Sequence, residues 1–266
     1  MIGVATNRSY WLKIWTIRHF VLCMVQLDLR NRYRRTVLGI GWALMNPIFM
    51  MVVLCTVFHQ ILKISWREHA PFVMAGIGIW AFLSTSILEG CNCIYAGEKY
   101  IRSTPMPMAI YPLRVLMGLF FQFLIVLALT FLITLVLKGY EDPLALLALL
   151  PSMVVLCFFG WSMGVLFGIA NVYFPDTQQI ASVFLQVLFY LTPVFYPPDL
   201  IGNSYVQTCL RYNPFAALVS IVREPLVYNV LPPLETYVYA SAVTATAVFV
   251  AVWLLAKCER TLIFHM

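Results

Sequence analysis

The sequence predicts an all-α integral membrane protein with six transmembrane helices and with both chain ends in the cytoplasm. Three observations predict this fold class: the composition, the lengths of the apolar stretches and the distribution of basic residues. Of the 266 residues, 62% are hydrophobic and only 11% are charged, and the mean hydropathy is +0.87. A water-soluble domain is typically about half apolar and about one quarter charged, so this composition could not cover a water-exposed surface.

Six apolar stretches are long enough to cross a bilayer as helices, which takes roughly 20 residues each. Helices are expected because lipid cannot satisfy exposed backbone N–H and C=O groups, and a transmembrane barrel would show short alternating segments instead. The chain then forms one domain, 1–266, with an N-terminal segment 1–36, a bundle 37–256 and a cytoplasmic tail 257–266. The predicted spans are 37–60, 71–93, 111–137, 144–171, 179–196 and 235–256.

Basic residues predict the orientation, because loops rich in Lys and Arg stay on the cytoplasmic side of a membrane. Seven of the 17 Lys and Arg residues precede the first predicted span. Lys99, Arg102 and Arg114 lie in or beside the connection between the second and third spans, and Lys257 and Arg260 follow the sixth. With an even number of spans, this distribution places both chain ends in the cytoplasm.

The N-terminal segment predicts an amphipathic helix rather than a cleavable signal peptide. Its apolar run is broken by Gln26 and Asp28 and is followed by four arginines, unlike the uninterrupted apolar core of a signal peptide. One face of this helix is apolar and includes Ile17, Val21 and Met24. Such a face favours a helix that lies in the membrane interface. An ordinary soluble helix that leads into the bundle is the alternative.

The connection between the fifth and sixth spans, 196–234, combines six prolines with an apolar run at 215–222 that is too short to cross a bilayer. Such runs predict re-entrant or interfacial helices at the outer face.

Motifs for catalysis, nucleotide binding and metal binding are lacking from the sequence. It contains no phosphate-binding G-x-x-x-x-G-K-[ST] loop, no H-E-x-x-H motif and no paired C-x-x-C motif. The seven cysteines are interpreted as small apolar packing residues. Glu89 is the ionisable residue inside a predicted span, where it is expected to pair with Arg or Lys, line a wet path or bind local backbone. We therefore expect neither catalytic residues nor a metal site.

Four strings, in order along the chain, carry a resemblance to a known family. The first, at 30–47, contains Arg32-Tyr33-Arg34, Leu38-Gly39, Trp42 and Pro47, and the second contains Asn92, Tyr100-Ile101-Arg102 and Tyr111-Pro112-Leu113. The third is the run 171–197, and the fourth is Asn213-Pro214-Phe215 with Arg223 ten residues after Asn213. Together they resemble the permease subunits of ABC-2 type exporters, close to the branch that exports O-antigen, capsule and teichoic-acid polysaccharides.

The resemblance implies a bacterial cytoplasmic-membrane permease that works as a homodimer on two separate ABC ATPase subunits. ATP and Mg would be used by those partners, and this chain would bind no cofactor itself. The substrate would be a lipid-linked glycan moving through a channel between the two copies, from their first and fifth spans. Membrane lipids and periplasmic or outer-membrane export proteins are further expected partners, and nucleic acid is not.

The resemblance also implies two contacts with the ATPase. A cytoplasmic helix at 95–103 would couple the two proteins through Glu98, Lys99 and Arg102, with a solvated loop as the alternative. The turn 173–178 would be the second contact, although Pro175 stands where relatives often have arginine. Asp176 in that turn is expected to cap the following helix.

An entrance for the lipid phosphate and a path for the glycan complete the predicted site. Arginine binds phosphate well, but the same cluster could bind anionic head groups or simply anchor the chain at the inner face. The entrance residues are Arg30, Arg32, Tyr33, Arg34, Arg35, Leu38, Gly39 and Trp42, of which Gly39 lets the chain bend. The candidate glycan-path residues are Phe184, Phe189, Tyr190, Phe195 and Tyr196, with ordinary core packing as the alternative. Phe184 and Phe195 are expected to share one helix face, since eleven residues make about three turns.

Three other functions stay open at this point. A drug- or lipid-exporting ABC-2 permease would share the architecture but lack sugar-stacking rings. A membrane-embedded enzyme would need convergent carboxylates or histidines, and a structural scaffold would not affect the activity of any ATPase.

Overall fold

The computed structural model describes residues 12, 15–34, 38–98, 106–140, 143–198, 210 and 212–262. Every regular element in these ranges is helical, which confirms the all-α prediction. The helices, numbered in chain order, are α1 (Arg18–Tyr33), α2 (Trp42–Leu62), α3 (Trp66–Ala96), α4 (Ile110–Leu137), α5 (Pro143–Leu147), α6 (Leu149–Tyr173), α7 (Thr177–Leu191), α8 (Pro214–Arg223) and α9 (Leu234–Leu262). A 3₁₀ turn, Gly39–Gly41, precedes α2, and a π-helical turn, Glu224–Tyr228, follows α8.

Five helical segments in the described ranges are long and apolar enough to cross a membrane. They are Gly39–Ile61, Trp66–Ala96, Ile110–Leu137, Ala145–Tyr173 and Leu234–Glu259. The predicted fifth span, 179–196, is helical only as α7, which has 15 residues. At 1.5 Å per residue α7 measures about 22 Å, less than the roughly 30 Å of a hydrocarbon core. The six-span topology therefore stays a prediction, and α7 is the helix on which it depends.

Helix α3 is the centre of the bundle. It packs against α2, α4, α6, α7 and α8, and 78% of its most apolar stretch is buried inside the chain, against 11% for the segment that contains α2. A helix that is apolar on all sides can be buried on all sides, and the run 70–83 of α3 has that composition. Helix α2 consequently lies at the edge of the bundle with most of its apolar surface uncovered.

Small residues let α3 and α6 come close together. A Cβ atom built on Gly90 would lie 2.6 Å from the Cα atom of Gly164, so neither helix could carry a side chain there at the present separation. About two turns further along α6, the Asn171 side-chain amide donates to the Cys91 carbonyl oxygen at 3.0 Å. Close backbone approach at small residues, with interhelical hydrogen bonds, is how helices associate inside membranes.

The two ends of the bundle are defined by different contacts. At the end that carries α1, the Met108 amide donates to the Glu259 carboxylate at 2.9 Å, and Tyr173 and Thr261 share a hydrogen bond of 3.0 Å. At the opposite end, the Tyr140 hydroxyl donates to the Pro225 carbonyl oxygen at 2.8 Å. We call these the α1 end and the α8 end. The prediction that the α1 end is cytoplasmic follows from its basic residues.

We predict that Gly90→Ala destabilises the bundle, because the added methyl group has no room against Gly164. Overpacking of this kind typically costs about 1–3 kcal/mol. The matched control is Gly118→Ala in α4, where nothing lies within 4 Å of the added Cβ and the gain in helix propensity remains. Thermal unfolding in detergent should give a lower Tm for Gly90→Ala and an equal or higher Tm for Gly118→Ala. Equal Tm values for the two variants would contradict the close α3–α6 contact.

Candidate functional site

Helix α1 is attached to α4 by an apolar contact and an ion pair. Val21 and Val25 pack with Ile110 at the start of α4, which accounts for the apolar face that the sequence shows. One turn further on, Arg114 donates to both carboxylate oxygens of Asp28, and its side chain is 14% exposed. Bidentate arginine–carboxylate pairs are strong and fix geometry. Asp28 therefore holds α1 in place, a role that sequence reasoning did not assign.

Arg32 of α1 pairs with Glu89 of α3, so the carboxylate singled out in the second predicted span has an arginine partner. The two side chains are 41% and 37% exposed. Water screens an exposed pair, and such pairs typically contribute about 0–1 kcal/mol. Arg32 can therefore exchange Glu89 for another anion at little cost in stability.

A cavity of about 380 Å³ lies between α1, α3 and α4 and joins the two ion pairs. The Tyr111 hydroxyl lies beside it, buried and without a hydrogen-bond partner in the described part of the chain. The charged lining residues balance, since Arg32 and Arg114 face Asp28 and Glu89. An anion gains a net attraction here only when one of the carboxylates moves away.

The other predicted entrance residues lie around the turn that leads into α2. Gly39 has φ of +52°, a left-handed conformation that favours glycine, so the chain does bend there. Leu38 and Trp42 flank the bend and are exposed. The remaining predicted entrance residues lie at the end of α1 or beyond it. Arg30 and Arg34 are exposed there, Tyr33 is the last residue of α1, and Arg35 lies outside the described residues.

The predicted ATPase contacts are only partly described. Helix α3 ends at Ala96 and Glu98 follows it, half-buried, whereas Lys99 and Arg102 lie outside the described residues. Asp176 is exposed at the N-cap position of α7, but its side chain makes no capping hydrogen bond. The capping prediction was wrong because Asp176 has helical backbone angles (φ −73°, ψ −7°) instead of the extended ones of a capping residue.

Helix α7 ends at Leu191, and the carbonyl groups that follow are bound by a buried arginine. Arg223 at the end of α8 donates from Nη1 to the Pro193 carbonyl oxygen and from Nη2 to that of Val194, both at 2.7 Å. The Arg223 residue is 5% exposed, and its guanidinium group lies 3.9 Å from the ring centroid of Phe72. We call Arg223 and the two carbonyl groups the arginine clamp.

Glycine makes the arginine clamp possible. A Cβ atom on Gly76 of α3 would collide with the Val194 carbonyl oxygen and with the Arg223 guanidinium group. The sequence places Arg223 directly after an uncharged run, 214–222, which is the signal by which a buried arginine could have been found.

The segment around α8 begins deep in the bundle. Asn213 caps α8 by accepting from the Phe215 amide at 3.0 Å, and its amide group donates to Thr192 Oγ1 at 3.0 Å. The Phe215 ring lies 5.6 Å from that of Trp80, close to the middle of α3. Helix α8 then runs to the α8 end, where Tyr228 contacts Lys138. The re-entrant helix stays a prediction, and α8 is the segment on which it depends.

The five predicted glycan-path residues divide into two groups. Phe184 and Tyr190 are exposed on α7, 59% and 61% respectively. Phe189 and Phe195 pack together at 5.3 Å between ring centroids, inside an aromatic cluster. Tyr196 donates its hydroxyl to the Tyr190 carbonyl oxygen at 3.0 Å. The prediction that Phe184 and Phe195 share one helix face was wrong, since Phe195 lies beyond the end of α7 and turns inward.

Helices α2 and α7 present large uncovered apolar surfaces. Near the α8 end, the Phe58 ring of α2 lies 6.1 Å from the ring of Phe195, which follows α7. Either lipid or a second polypeptide has to cover this much apolar surface. The exposed members are Trp42, Phe49, Met50, Val52, Val53, Val57 and Ile61 of α2, and Ile180, Val183, Phe184, Val187, Tyr190 and Leu191 of α7.

Comparison with known proteins gives one family and several relatives. Residues 19–227 match the family described as "ABC-2 type transporter". The chain is 25% identical over 207 residues to an O-antigen export system permease protein RfbA of Klebsiella pneumoniae, covering 77% of this chain and 78% of the relative. It is 25% identical to RfbA of Myxococcus xanthus over 90% of this chain and 92% of the relative. The chain is 20% identical to the polysialic acid transport protein KpsM of Escherichia coli, over 89% of this chain and 92% of the length of KpsM.

We predict that Arg223 is required for folding and that lysine cannot replace it. A lysine side chain offers a point charge in place of the planar fork, so at least one of the two buried carbonyl groups loses its donor. Each buried group left unsatisfied costs about 1–3 kcal/mol. Thermal unfolding in detergent should show a large loss of Tm for Arg223→Lys and a larger one for Arg223→Ala.

The matched control is Phe72→Leu, which removes the ring below the guanidinium group and leaves both hydrogen bonds. Its Tm should fall less than that of Arg223→Lys. If Arg223→Lys keeps the Tm of the unsubstituted protein, the arginine clamp does not hold the segment after α7.

Proposed function

Because this chain belongs to the ABC-2 type transporter family, we propose that it is the permease subunit of an ATP-driven exporter of lipid-linked polysaccharide. The proposed location is the bacterial cytoplasmic membrane, and the proposed cargo is a glycan of the O-antigen, capsule or teichoic-acid type. The observation that carries this proposal is the similarity, along most of both chains, to proteins named as O-antigen export permeases and a polysialic acid transport protein.

A homodimer provides the channel in this proposal. The uncovered faces of α2 and α7 are apolar, so a second copy would bury them and enclose a path between the two chains. Phe184 and Tyr190 are the aromatic side chains of the predicted path that α7 exposes, and ring faces pack well on the C–H faces of sugars. Phe189, Phe195 and Tyr196 then support the wall of the path from behind.

Six spans per copy are part of the same proposal. The fifth would consist of α7 followed by the non-helical residues 192–197, whose carbonyl groups the arginine clamp satisfies in part. Non-helical backbone at membrane depth is tolerated where protein surrounds it. Helix α8 would then form a re-entrant segment beside the exit of the channel.

The energy source is assigned to two separate ATPase subunits, which would bind ATP and Mg. They would contact this chain at the α1 end, through the segment with Glu98, Lys99 and Arg102 and through the exposed turn with Asp176. The sequence motifs support this assignment, because a nucleotide-binding phosphate loop is lacking.

The lipid phosphate is proposed to enter at the α1 end, where Arg30, Arg32, Arg34 and Arg35 follow one another closely. Arg32 is bound to Glu89 in this structure, so it would exchange the carboxylate for phosphate as the lipid arrives. The exchange is balanced in charge, since one anion replaces another on the same guanidinium group.

An ABC-2 permease that exports drugs or lipids is the alternative. It shares the family and the uncovered apolar faces, and it differs in its response to lipid-linked glycan.

We predict that the chain co-purifies with its ATPase and that lipid-linked glycan changes the ATPase rate in nanodiscs. Replacing Glu98, Lys99 and Arg102 by Ala should abolish the response, because the coupling segment loses its charged contacts. The matched control is Lys63→Ala, a cation at the α8 end that is exposed. A response to small amphiphiles in place of glycan would favour the drug or lipid exporter. Absence of any ATPase partner would refute both.

Glu89→Gln is predicted to sensitise the transporter to lipid-linked glycan, since it removes the carboxylate that competes for Arg32. The glycolipid concentration for half-maximal change in ATPase rate should fall several-fold, with little change in Tm. The swap Arg32→Glu with Glu89→Arg restores an ion pair but moves the cation to α3, so its Tm should stay near that of the unsubstituted protein while the glycolipid response weakens. Arg18→Gln, on α1 but outside the cavity, is the control. An unchanged half-maximal concentration in Glu89→Gln would show that Arg32 does not bind the lipid phosphate.

A further inference from the structure

A second cavity, of about 670 Å³, opens at the α8 end, far from the residues proposed to bind the lipid phosphate or the ATPase. Four segments meet there: the start of α3, the end of α4, the turn after α7 and the π-helical turn. Its volume falls in the range of small-molecule sites, which is about 300–1,000 Å³. The lining residues are Ile64, Arg67, Glu68, His69, Phe72, Lys138, Pro197 and Tyr228.

Two cations line this cavity, and in the part of the chain that the structure describes neither forms an ion pair with a carboxylate. Arg67 donates from Nε to the Leu137 carbonyl oxygen, and Lys138 Nζ lies 3.5 Å from the Val227 carbonyl oxygen. Among the described residues, neither Arg67 nor Lys138 has a carboxylate oxygen within 4 Å. Each is held by a backbone carbonyl group, and with Glu68 in the same lining the described residues of the cavity carry one net positive charge.

Lys138 is the more confined of the two cations. Its Nζ lies 4.9 Å from the ring centroid of Tyr228, and burial lowers the pKa of its ammonium group, an effect that the charge of Glu68 opposes. A partly desolvated ammonium group without an ion pair is costly, and an anion placed beside it would recover that cost.

The wall of the cavity adds an unsatisfied histidine and two aromatic rings. His69 is 3% exposed, and its ring is stacked between Phe58, at 5.1 Å, and Phe72, at 5.9 Å. Its Nε2 atom has no hydrogen-bond partner among the described residues. Buried polar atoms are rarely left without a partner, and one in a cavity with a net positive lining is typical of a site that a ligand completes.

We propose that this cavity binds a carboxylate or phosphate group carried on a sugar or a lipid head group. Arg67 and Lys138 bind the anion, Glu68 accepts from a hydroxyl group of the ligand, and the exposed ring of Tyr228 packs against its apolar face. The proposal does not depend on a homodimer, an ATPase partner or the identity of an exported polymer. It gives the α8 end a preference for acidic ligands.

The test uses the purified full-length chain in phosphatidylcholine nanodiscs and three probes: glucuronate, glucose 1-phosphate and neutral glucose. A ligand that binds only the folded state raises Tm in proportion to its concentration and affinity. We expect the two acidic probes to raise Tm and glucose to leave it unchanged. Lys138→Gln should weaken the apparent affinity at least tenfold. Lys63→Gln, which removes an exposed cation at the same end and outside the cavity, should bind as the unsubstituted chain does.

Equal shifts with glucose, or an unchanged affinity in Lys138→Gln, would overturn the proposal. Equilibrium dialysis with labelled glucose 1-phosphate on the unsubstituted chain decides the case if Lys138→Gln does not fold: saturable binding supports the site, and none refutes it. Nanodiscs that contain phosphatidylglycerol separate the two sources of the anion. If these lipids raise the Tm of the unsubstituted chain but not of Lys138→Gln, and prevent glucose 1-phosphate from binding, the ligand is a lipid head group. If glucose 1-phosphate still binds, the ligand is an acidic sugar.

Discussion

The need to satisfy backbone polar groups away from water governs the least regular part of this protein. Helix α7 stops at Leu191, and the chain continues as turns at a depth where α3 and α8 surround it. A lipid environment offers no water to bind the released carbonyl groups, so the protein has to supply donors. Arg223 supplies two of them from one planar group, and Phe72 and Gly76 shape the space in which it fits.

Central burial of α3 makes that arrangement possible. The same helix provides Gly76 to the arginine clamp, Gly90 to the close contact with α6, and Glu89 to the ion pair with Arg32. Its neighbours on one side are packed tightly, while α2 and α7 leave apolar faces open. The chain is thus packed on one side and leaves an apolar surface open on the other, which is the surface that the proposed homodimer would bury.

Charges are handled differently at the two ends of the bundle. At the α1 end the arginines of the junction have carboxylate partners, Asp28 and Glu89, so an incoming anion meets a neutral cavity and has to displace one of them. At the α8 end Arg67 and Lys138 are bound by carbonyl groups, and with Glu68 the described lining keeps one net positive charge. At the α1 end an arriving anion has to displace a carboxylate from its arginine, which favours exchange of ligands. At the α8 end no carboxylate has to be displaced, which favours retention of the anion.

The sequence by itself determined the fold class, the family and most helix positions, because long apolar runs and backbone satisfaction in lipid leave helices as the answer. It also marked Glu89 and the bend at Gly39, since a carboxylate within a long apolar run and a glycine at a turn are local signals. Tertiary structure alone decided the partners: Arg32 for Glu89, Arg114 for Asp28 and the carbonyl groups of Pro193 and Val194 for Arg223. It also decided that Phe195 turns inward while Phe184 stays exposed, because that depends on where α7 ends, and α7 ends where distant residues replace its hydrogen bonds.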